Sequence, residues 1–565
     1  MYVDIVPNRN SRPAILLREG WREGGKIKKR TIANLSDWPR EQVEALRRVL
    51  RGDYGEGAAK PELVIERSLP HGAAAAVLGM IGKLKLAEVI SAKSCREREL
   101  VVGMIAERLL HPGSKLATTR LWKSSTLAEE LGVEDADEDD LYAALDWLVL
   151  RQDRIERKLA GRHLGEGGLV MYDATSSYYE GRTCPLAQWG HNRDGKKGKK
   201  IIVYGVLTDG EGRPVAVSVY RGNTGDPSTV LDQVEKLRAR FGLSRVVLVG
   251  DRGMLAETQL AVLREHPGLG WITALRSGAI RELVEQGAIQ LSLFEERNLM
   301  ELTHPDYPGE RLLVCLNPQL RAERARKREE LLRATEKELG RIAAMVMRRK
   351  QKVMKREEIA LKVGKVLDRW KVGKHFRLVI AEGRFEFFRE EAAISAEAAL
   401  DGLYVIRTSE PAGKLPAAEV VRAYKGLSAV ERLFRTLKGL ELRVRPIFHR
   451  DPDRVRAHVF LCLLAYYVEW HLRRSLAPLL FDDEFPDREC DPVAPAKISD
   501  QAQHKKRRRQ TAAGLPLHSF DSLLLELATL TRNTCRFSRS PAFTQLSQPT
   551  PLQTKVFELL GVCCQ

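Results

Sequence analysis

Two aspartates, each directly following an apolar run, are the first residues in this sequence whose type and position could support chemistry. Asp173 follows the run 169–172, and Asp251 follows the run 246–250. Short apolar runs bounded by turn residues predict buried β-strands, and open α/β sheets place their sites at the carboxyl ends of strands. Either aspartate alone would more often cap a turn, so a third carboxylate is needed to indicate a site.

Glu431 is that third carboxylate, and it lies at the edge of the apolar face of a predicted helix. A spacing of three or four residues places one stripe of side chains on this helix, comprising Tyr424, Leu427, Glu431, Phe434 and Lys438. A carboxylate beside an apolar face is costly unless it is paired or binds a metal. Arg435, one turn further on, could pair with it, whereas metal ligation would explain all three acids together.

Three carboxylates without a histidine or cysteine favour Mg²⁺ or Mn²⁺, which prefer oxygen ligands. Two such ions can activate an attacking hydroxyl and stabilise the leaving oxygen of an in-line phosphoryl displacement. The sequence therefore predicts a site for two Mg²⁺ (or Mn²⁺) ions at Asp173, Asp251 and Glu431.

Basic residues close to these acids in the sequence predict contacts with phosphate groups. The candidates are Arg252, Arg435, Lys438, and Lys199 and Lys200 of the cluster 196–200. Each alone would more often be a solvated charge, but together they suggest a track for DNA. The whole chain has 93 Lys and Arg residues against 75 Asp and Glu residues, a net charge of +18. Such an excess favours a polyanionic partner.

The elements that must position these residues indicate an α/β fold. Residues 166–278 predict the order βββαβαβ, which suits a ribonuclease-H-like sheet, and residues 400–475 return to that domain. Residues 279–399 read as an α+β insertion with a long charged helical region. We expect the insertion to pack beside the sheet without entering it, and the strand within 401–409 to rejoin the sheet.

The remaining regions predict a helical N-terminal region before the catalytic domain and a tail after it. Residues 1–65 resemble a small α+β unit, and residues 66–165 are helical throughout. That helical block is a candidate DNA-binding region, with a plain helical scaffold as the alternative. Residues 476–565 predict a tail holding a linker and one further helical segment.

Several protein classes are disfavoured by length and composition. A chain of 565 residues is too long for one core. Its eight cysteines form no CxxC pair, which argues against a structural zinc site, and a disulfide framework is improbable at this length. The N-terminus lacks the apolar core of a signal peptide, and the longest apolar run covers about half a membrane span. We therefore expect a cytoplasmic protein that is not inserted in a membrane.

The segments around the three acids resemble the DDE transposases of the superfamily named after insertion sequence four. They are YDAT at 172–175, VGDRGM at 249–254 and YKGLSAVERLFRTLK at 424–438. The last family motif is a Tyr, two residues, an Arg, three residues, a Glu, six residues and a Lys. Tyr424, Glu431 and Lys438 match it, whereas Leu427 stands at the Arg position. Arg422, Arg432 or Arg435 could replace that arginine.

Three further segments resemble one branch of that superfamily, named after insertion sequence 1634. They are MYVDIVPNRNS, RLLHPGSKLA and GNTGDP. The resemblance implies a ribonuclease-H-like catalytic domain with an insertion before the Glu-bearing helix, and DNA contacts at Tyr424 and Lys438. It also implies recognition of terminal inverted repeats, a homo-oligomer assembled on DNA, and cleavage followed by strand transfer into target DNA.

Three other functions remain open on the sequence alone. A different ribonuclease-H-like nuclease, such as a resolvase or a repair enzyme, would use the same acids without strand transfer. A DNA-binding relative without catalysis would not need all three acids. A structural helical scaffold would leave both the acids and the charge of +18 unexplained.

Overall fold

The computed structural model describes residues 1–8, 12–23, 26–53, 63–290, 294, 298–349, 353–484, 491–495, 497–537 and 540–563. Within these residues the protein is a mixed α/β molecule built around one large sheet. No helix in the described part of the chain is both long enough and apolar enough to span a bilayer.

The large sheet has eight strands in the order β10-β11-β14-β9-β8-β5-β6-β7. Strand β5 pairs in parallel with β8, and β8 with β9, while the other neighbours are antiparallel. The strands are β5 (Gly168–Tyr178), β6 (Ile201–Asp209), β7 (Pro214–Arg221), β8 (Val246–Val249), β9 (Leu269–Ala274), β10 (Leu299–Leu302), β11 (Arg311–Leu316) and β14 (Leu403–Thr408). The mixed sheet confirms the α/β prediction.

Helices cover both faces of this sheet, which explains why its central strands are apolar on both sides. Met171 faces a core shared with α15, α16 and α17. Tyr172, the next residue, faces a second core with α9 and α10. These helices are α9 (Val230–Glu235), α10 (Glu257–Glu265), α15 (Ala417–Lys425), α16 (Leu427–Lys438) and α17 (Pro452–Leu476).

A helical region precedes the sheet and packs around α17, whose middle is buried throughout. Its helices are α2 (Gly72–Lys83), α3 (Leu86–Ile90), α4 (Arg96–Leu110), α5 (Lys115–Trp122), α6 (Leu127–Leu131), α7 (Glu138–Val149) and α8 (Gln152–His163). These helices share one hydrophobic core with α17 and with one face of the sheet. The longest apolar run of the sequence is therefore an internal core helix.

The chain begins with strands, so the expected helical character does not extend to its N-terminus. A three-stranded sheet in the order β1-β2-β3 packs against one helix over a small separate core. The elements are β1 (Tyr2–Val6), β2 (Ala14–Glu23), β3 (Lys26–Asn34) and α1 (Arg40–Leu50). Alternating polar and apolar residues in β2 and β3 account for this, since the pattern suits a half-buried sheet.

The expectation that residues 279–399 stay out of the sheet is wrong for β10 and β11. Strand β11 pairs with β14, and β10 pairs with β11 at the edge. All six residues of β11 are buried, so this apolar strand needs cover on both faces and finds it only inside a sheet. The return of the chain is confirmed, because β14 pairs with β9 as well as with β11.

The charged part of this segment does stay outside the sheet. It forms a helical hairpin and a two-stranded ribbon around a core of their own. A separate helix, α11 (Ser277–Glu285), packs on β14 and its neighbours. The hairpin and ribbon, with the helix that follows them, are α12 (Pro318–Arg348), α13 (Arg356–Trp370), β12 (Phe376–Ala381), β13 (Arg384–Arg389) and α14 (Glu391–Ala398).

The C-terminal tail holds more structure than the one helical segment expected. Its strand β15 pairs with β16 and with β4, a strand more than 450 residues earlier in the chain. The elements are β4 (Leu63–Pro70), α18 (Asp500–Arg508), α19 (Phe520–Ala528), β15 (Thr531–Phe537), β16 (Phe543–Leu546) and α20 (Pro551–Leu560). Only one residue of β15 is fully buried, so its sequence carries little of the apolar pattern that predicts a strand.

Candidate active site

Asp173 lies in the middle of β5, just beyond the part of that strand that pairs with β8, and Asp251 lies just after the end of β8. Met171 of β5 is paired with Val249 of β8, and each aspartate comes two residues after its member of that pair. Asp173 is on the same face of β5 as Met171, which faces α15 to α17. Asp251 is close enough to raise the pKa of Asp173.

Backbone amides hold both carboxylates in place. Oδ1 of Asp173 accepts the amide N–H of Ala174 at 2.7 Å. Oδ1 of Asp251 accepts two amides, those of Gly253 at 3.0 Å and Met254 at 2.6 Å. These bonds fix the side-chain rotamers and leave the second carboxylate oxygen of Asp251 available to a ligand.

The two aspartates repel each other electrostatically. Burial, and then the charge of Asp251, raise the pKa of Asp173 to about 7. A carboxyl group with such a pKa resists ionising beside another carboxylate unless a cation joins them. The pair therefore suits a divalent cation, because the cation would offset both the repulsion and the loss of hydration.

Glu431 is carried on α16, which packs directly on β5. Gly426, at the junction of α15 and α16, lies so close to the strand that a Cβ there would come within 2.3 Å of Met171 Cε. Glu431 itself is exposed, while Val430 and Leu433 beside it are buried. The helix thus presents Glu431 at the rim of the face of β5 that carries Asp173.

Tyr424 lies between the acids in electrostatic terms. Burial raises the pKa of Tyr424, and Asp251 and Glu431 raise it further while Arg252 lowers it. This half-buried phenol is therefore within electrostatic range of both Asp251 and Glu431. Across the described ranges, no three His, Cys, Asp or Glu side chains are already arranged to hold a metal ion. The convergence of all three acids on shared ions stays a prediction.

Lys438 is anchored at the far end of α16. Its Nζ donates to Thr175 Oγ1 at 2.7 Å and to Asp194 Oδ1 at 3.1 Å. Thr175 is two residues beyond Asp173 on the same strand, so it lies on the same face. The Lys438 side chain is 12% exposed and that of Asp194 is 1% exposed. The ammonium group is thereby held beside the strand that carries Asp173.

Comparisons with known proteins assign the family. A family model described as the transposase DDE domain matches residues 165–468, more than half of the chain. This protein belongs to the DDE transposases. A second family model, the N-terminal domain of IS1634 family transposases, matches residues 3–62. Both halves of the sequence resemblance are thus confirmed, and a helical scaffold is excluded.

Other comparisons add little to this assignment. A search of curated proteins gives no match. Among solved structures, the transposase is similar to piggyBac transposase in a synaptic complex with hairpin DNA, at 11% identity and a TM-score of 0.33. The similarity covers 71% of this chain and 72% of that one. At that score it carries no argument about the fold.

Three polar residues beside the transposase acids escaped the sequence reasoning. Arg193 donates to the carbonyl oxygen of Ala174 and to Asp226, and its charge lowers the pKa of Asp173 whereas that of Asp226 raises it. Asp194 accepts from Lys438, from Arg445 and from the amide of Tyr178. In the segment 191–200 the sequence indicated only phosphate-binding lysines, and GNTGDP indicated only a family resemblance. No local pattern predicts that these loops meet beside β5.

The other predicted DNA contacts lie on the surface. Arg252, Arg435, Lys199 and Lys200 are exposed, and Lys199 pairs with Glu180 at 2.8 Å. In the described part of the chain no ion pair within 4.0 Å joins Glu431 to Arg435, so the structure does not favour that pairing over metal ligation. Leu427, at the family's arginine position, is buried in the core, and an arginine there would lose that packing.

Proposed function

We propose that Asp173, Asp251 and Glu431 of this transposase hold two Mg²⁺ (or Mn²⁺) ions and carry DNA cleavage and strand transfer. The observation that supports this most directly is that each aspartate comes two residues after the last paired residues of β5 and β8, Met171 and Val249, with α16 packed on β5. We further propose that β7-β6-β5-β8-β9 with α9 and α10 is a ribonuclease-H-like unit. Its strand order, three antiparallel strands followed by two parallel ones, supports that assignment.

The divalent ions would supply Lewis-acid stabilisation of the attacking and leaving oxygens. The protein's own contribution is positioning. Asp173 and Asp251 are oriented by backbone amides before any ligand arrives. Glu431 is on a rigid helix whose approach to β5 is set by Gly426. Lys438, fixed by Thr175 and Asp194, supplies a positive charge for a phosphate near the acids.

DNA is the partner that we assign to the surface cations. Tyr424, Arg252 and Arg435 surround the acids, and Lys199 and Lys200 lie on the loop that leads into β6. Phosphate contacts from such residues position a duplex without reading its sequence. We propose that the bound DNA comprises the terminal inverted repeats and then the target, and that a homo-oligomer holds the ends. Helices α2 to α8 are the candidate region for recognising the repeats.

A pair of substitutions separates catalysis from binding. Glu431→Gln keeps the side-chain size but removes the charge that would hold a metal, so cleavage and strand transfer with Mg²⁺ should fall by several orders of magnitude. Binding of an end duplex should be unchanged, since phosphate contacts come from Lys and Arg. Lys438→Ala should instead weaken end binding and lower its salt dependence. Both quantities are measured for each variant by gel shift and by cleavage under single-turnover conditions.

Glu419→Gln is the matched control, because Glu419 is an exposed glutamate of the preceding helix that pairs with Arg422. It should cleave at the normal rate. Cleavage by Glu431→Gln at the rate of this control would remove Glu431 from the metal site.

A further inference from the structure

A second charged site lies between the helical region and the segment that follows α16. It is a cavity of about 520 Å³, within the range of roughly 300–1,000 Å³ that ligand sites occupy. Its walls come from α4, the turn 111–114, the start of α5, the segment 443–451 and the start of α17. We call it the cationic cavity, because its charged lining is Arg108, Lys115, Arg443, Arg445, Arg450 and Arg454 against Asp451 alone.

Most of these cations have no acidic partner. Arg445 pairs with Asp194 and Arg454 with Asp146. No carboxylate lies within 4.0 Å of Arg108, Lys115, Arg443 or Arg450 among the residues that the structure describes. Arg443 and Arg450 are exposed, so water can solvate them. Arg108 and Lys115 are only 6% and 5% exposed. Two buried cations without a counter-charge are costly to fold.

The polar groups around them also suit an anion. Helix α5 begins at Lys115 after its cap Ser114, so its positive end adds to the field of the side chains. The one acid, Asp451, is engaged in capping α17 through the amides of Asp453 and Arg454.

The lowered pKa values of two lining residues, Lys115 and His449, agree with an excess of positive charge in the cavity. Burial, and then Arg108, lower the pKa of Lys115 to about 7. Burial, then Lys115 and Arg108, lower the pKa of His449 to about 4. An anion in the cavity would reverse these shifts, because it would stabilise the protonated forms.

The cationic cavity is connected to the strand that carries Asp173. Ile447, next to the lining, bridges to Tyr179 just after the end of β5, and its carbonyl accepts the amide of Glu180. Arg445 of the lining shares Asp194 with Lys438. Five residues of strand separate Asp173 from Tyr178, about 16 Å at ~3.3 Å per residue. Phosphates of one B-DNA strand are at least the axial rise of ~3.4 Å apart, so that length spans at most about five nucleotides.

We propose that the cationic cavity seats one backbone phosphate of the bound DNA, within about five nucleotides of the phosphate that reacts. This rests on the proposed function in that DNA is the substrate. The buried pair Arg108 and Lys115 would supply charge-assisted hydrogen bonds to the phosphate oxygens, while the exposed Arg443 and Arg450 would guide the strand in. The site sets the register of the strand over the acids and takes no part in the chemistry.

A double-mutant cycle between protein and DNA tests the proposal. Binding of an end duplex is measured without divalent ions, with one phosphate at a time replaced by a neutral methylphosphonate. For the wild type, one or two adjacent replacements within about five nucleotides of the cleavage point should weaken binding by about 10-fold, as expected for a charge-assisted bond. Lys115→Met should weaken binding of the normal duplex by a similar factor. In that variant the same replacements should cause almost no further loss of affinity.

Lys123→Met is the matched control, because Lys123 is exposed at the other end of the same helix. Its response to each methylphosphonate should follow that of the wild type. Full additivity of Lys115→Met with every replacement would overturn the proposal. So would calorimetric binding of inorganic phosphate that Lys115→Met abolishes without coupling to any DNA position, since the cavity would then be a site for free phosphate.

The cycle is read without metal and without cleavage. A failure of the Glu431 assignment would therefore leave its outcome intact. An absence of DNA binding in the wild type would overturn both the proposed function and the cavity.

Discussion

The acidic edge, formed by Asp173 and Asp251, and the cationic cavity border the same strand, β5. The first site collects negative charges and the second collects positive charges. Each gathers charges of one sign with too few partners: Asp173 beside Asp251 in the first, Arg108 beside Lys115 in the second. They differ in what holds them. Backbone amides orient the acids, whereas the buried cations are placed by helix packing alone. Neither arrangement favours folding, which is the cost that the proposed ligands would offset.

Buried charges elsewhere in the transposase show the alternative. Arg407 of β14 is 7% exposed and donates two hydrogen bonds of 2.6 Å to Glu310, which is 1% exposed. Lys236 and Glu156 form a similar pair at 3.2 Å. These charges are matched and belong to the architecture. The contrast separates these pairs, which join parts of the molecule, from Arg108 and Lys115, which have no carboxylate within 4.0 Å among the residues that the structure describes.

The largest effect should come from Asp251→Asn. Asparagine keeps an oxygen for the amides of Gly253 and Met254 but loses the charge needed by a metal, so Mg²⁺-dependent cleavage should fall by roughly 10³-fold or more. Binding of end DNA should be retained. Single-turnover cleavage and gel shift measure the two. Cleavage at the normal rate would show that the acidic edge has a structural role only. It could then no longer be compared with the cationic cavity as a ligand site.

Breaking the buried ion pair of Arg407 and Glu310 should instead lower the stability of the protein. Glu310→Gln leaves Arg407 buried without its counter-charge, and removing one partner of a buried pair costs about 3–5 kcal/mol. The free energy of unfolding in urea measures this. Glu257→Gln is the control: Glu257 also contacts Arg407, at 2.8 Å, but is 62% exposed, so its loss should cost under ~1 kcal/mol. Equal effects of the two variants would show that burial of the Arg407–Glu310 pair does not set its importance for stability.

The smallest effect is a gain of stability on removing Lys115. Its pKa is about 7 when folded and near 10.5 otherwise, so protonating it opposes folding. That cost is full below pH 7 and disappears as the pH rises toward 10.5. Lys115→Met should therefore raise the free energy of unfolding of the DNA-free protein near pH 7, and by progressively less as the pH rises above 8. Urea titrations across this range test it.

Lys123→Met serves as the reference for that measurement and should show no such pH dependence. A loss of stability in Lys115→Met at every pH would mean that Lys115 has a structural partner, and the cationic cavity would no longer resemble the acidic edge.

Much of the catalytic region could be predicted from the sequence because its signals are local. Apolar runs ending in Asp173 and Asp251 predicted strand ends, and the spacing around Glu431 predicted an amphipathic helix with that acid at its rim. The strands and the helix are present, but two details of the prediction are wrong. Strand β5 continues to Tyr178, five residues past Asp173, and the predicted helix is divided at Gly426, so Tyr424 lies on α15 and Glu431 on α16. Family motifs then pointed to the DDE transposases, which the family match confirms.

Long-range pairing could not be predicted in the same way. Strand β11 reads as any buried strand, and nothing in its residues says that it joins the large sheet rather than one of its own. Strand β15 is mostly half-buried, and its partner β4 lies at the other end of the chain. Strand pairing depends on backbone hydrogen bonds that every residue can make, so the partner is selected only when the whole core assembles.

What this sequence determined by itself was the chemistry and the local elements: three carboxylates without competing ligands, the helix and strands that carry them, and a strong positive charge. Only the tertiary structure decided which charges lack partners. Two sets of residues from distant parts of the chain meet only in the folded protein. One is Arg108 and Lys115 with the segment 443–451, and the other is Arg193 and Asp194 with Asp226 beside β5. A residue's type and spacing fix its own charge, but whether that charge is paired depends on neighbours that folding alone brings within reach.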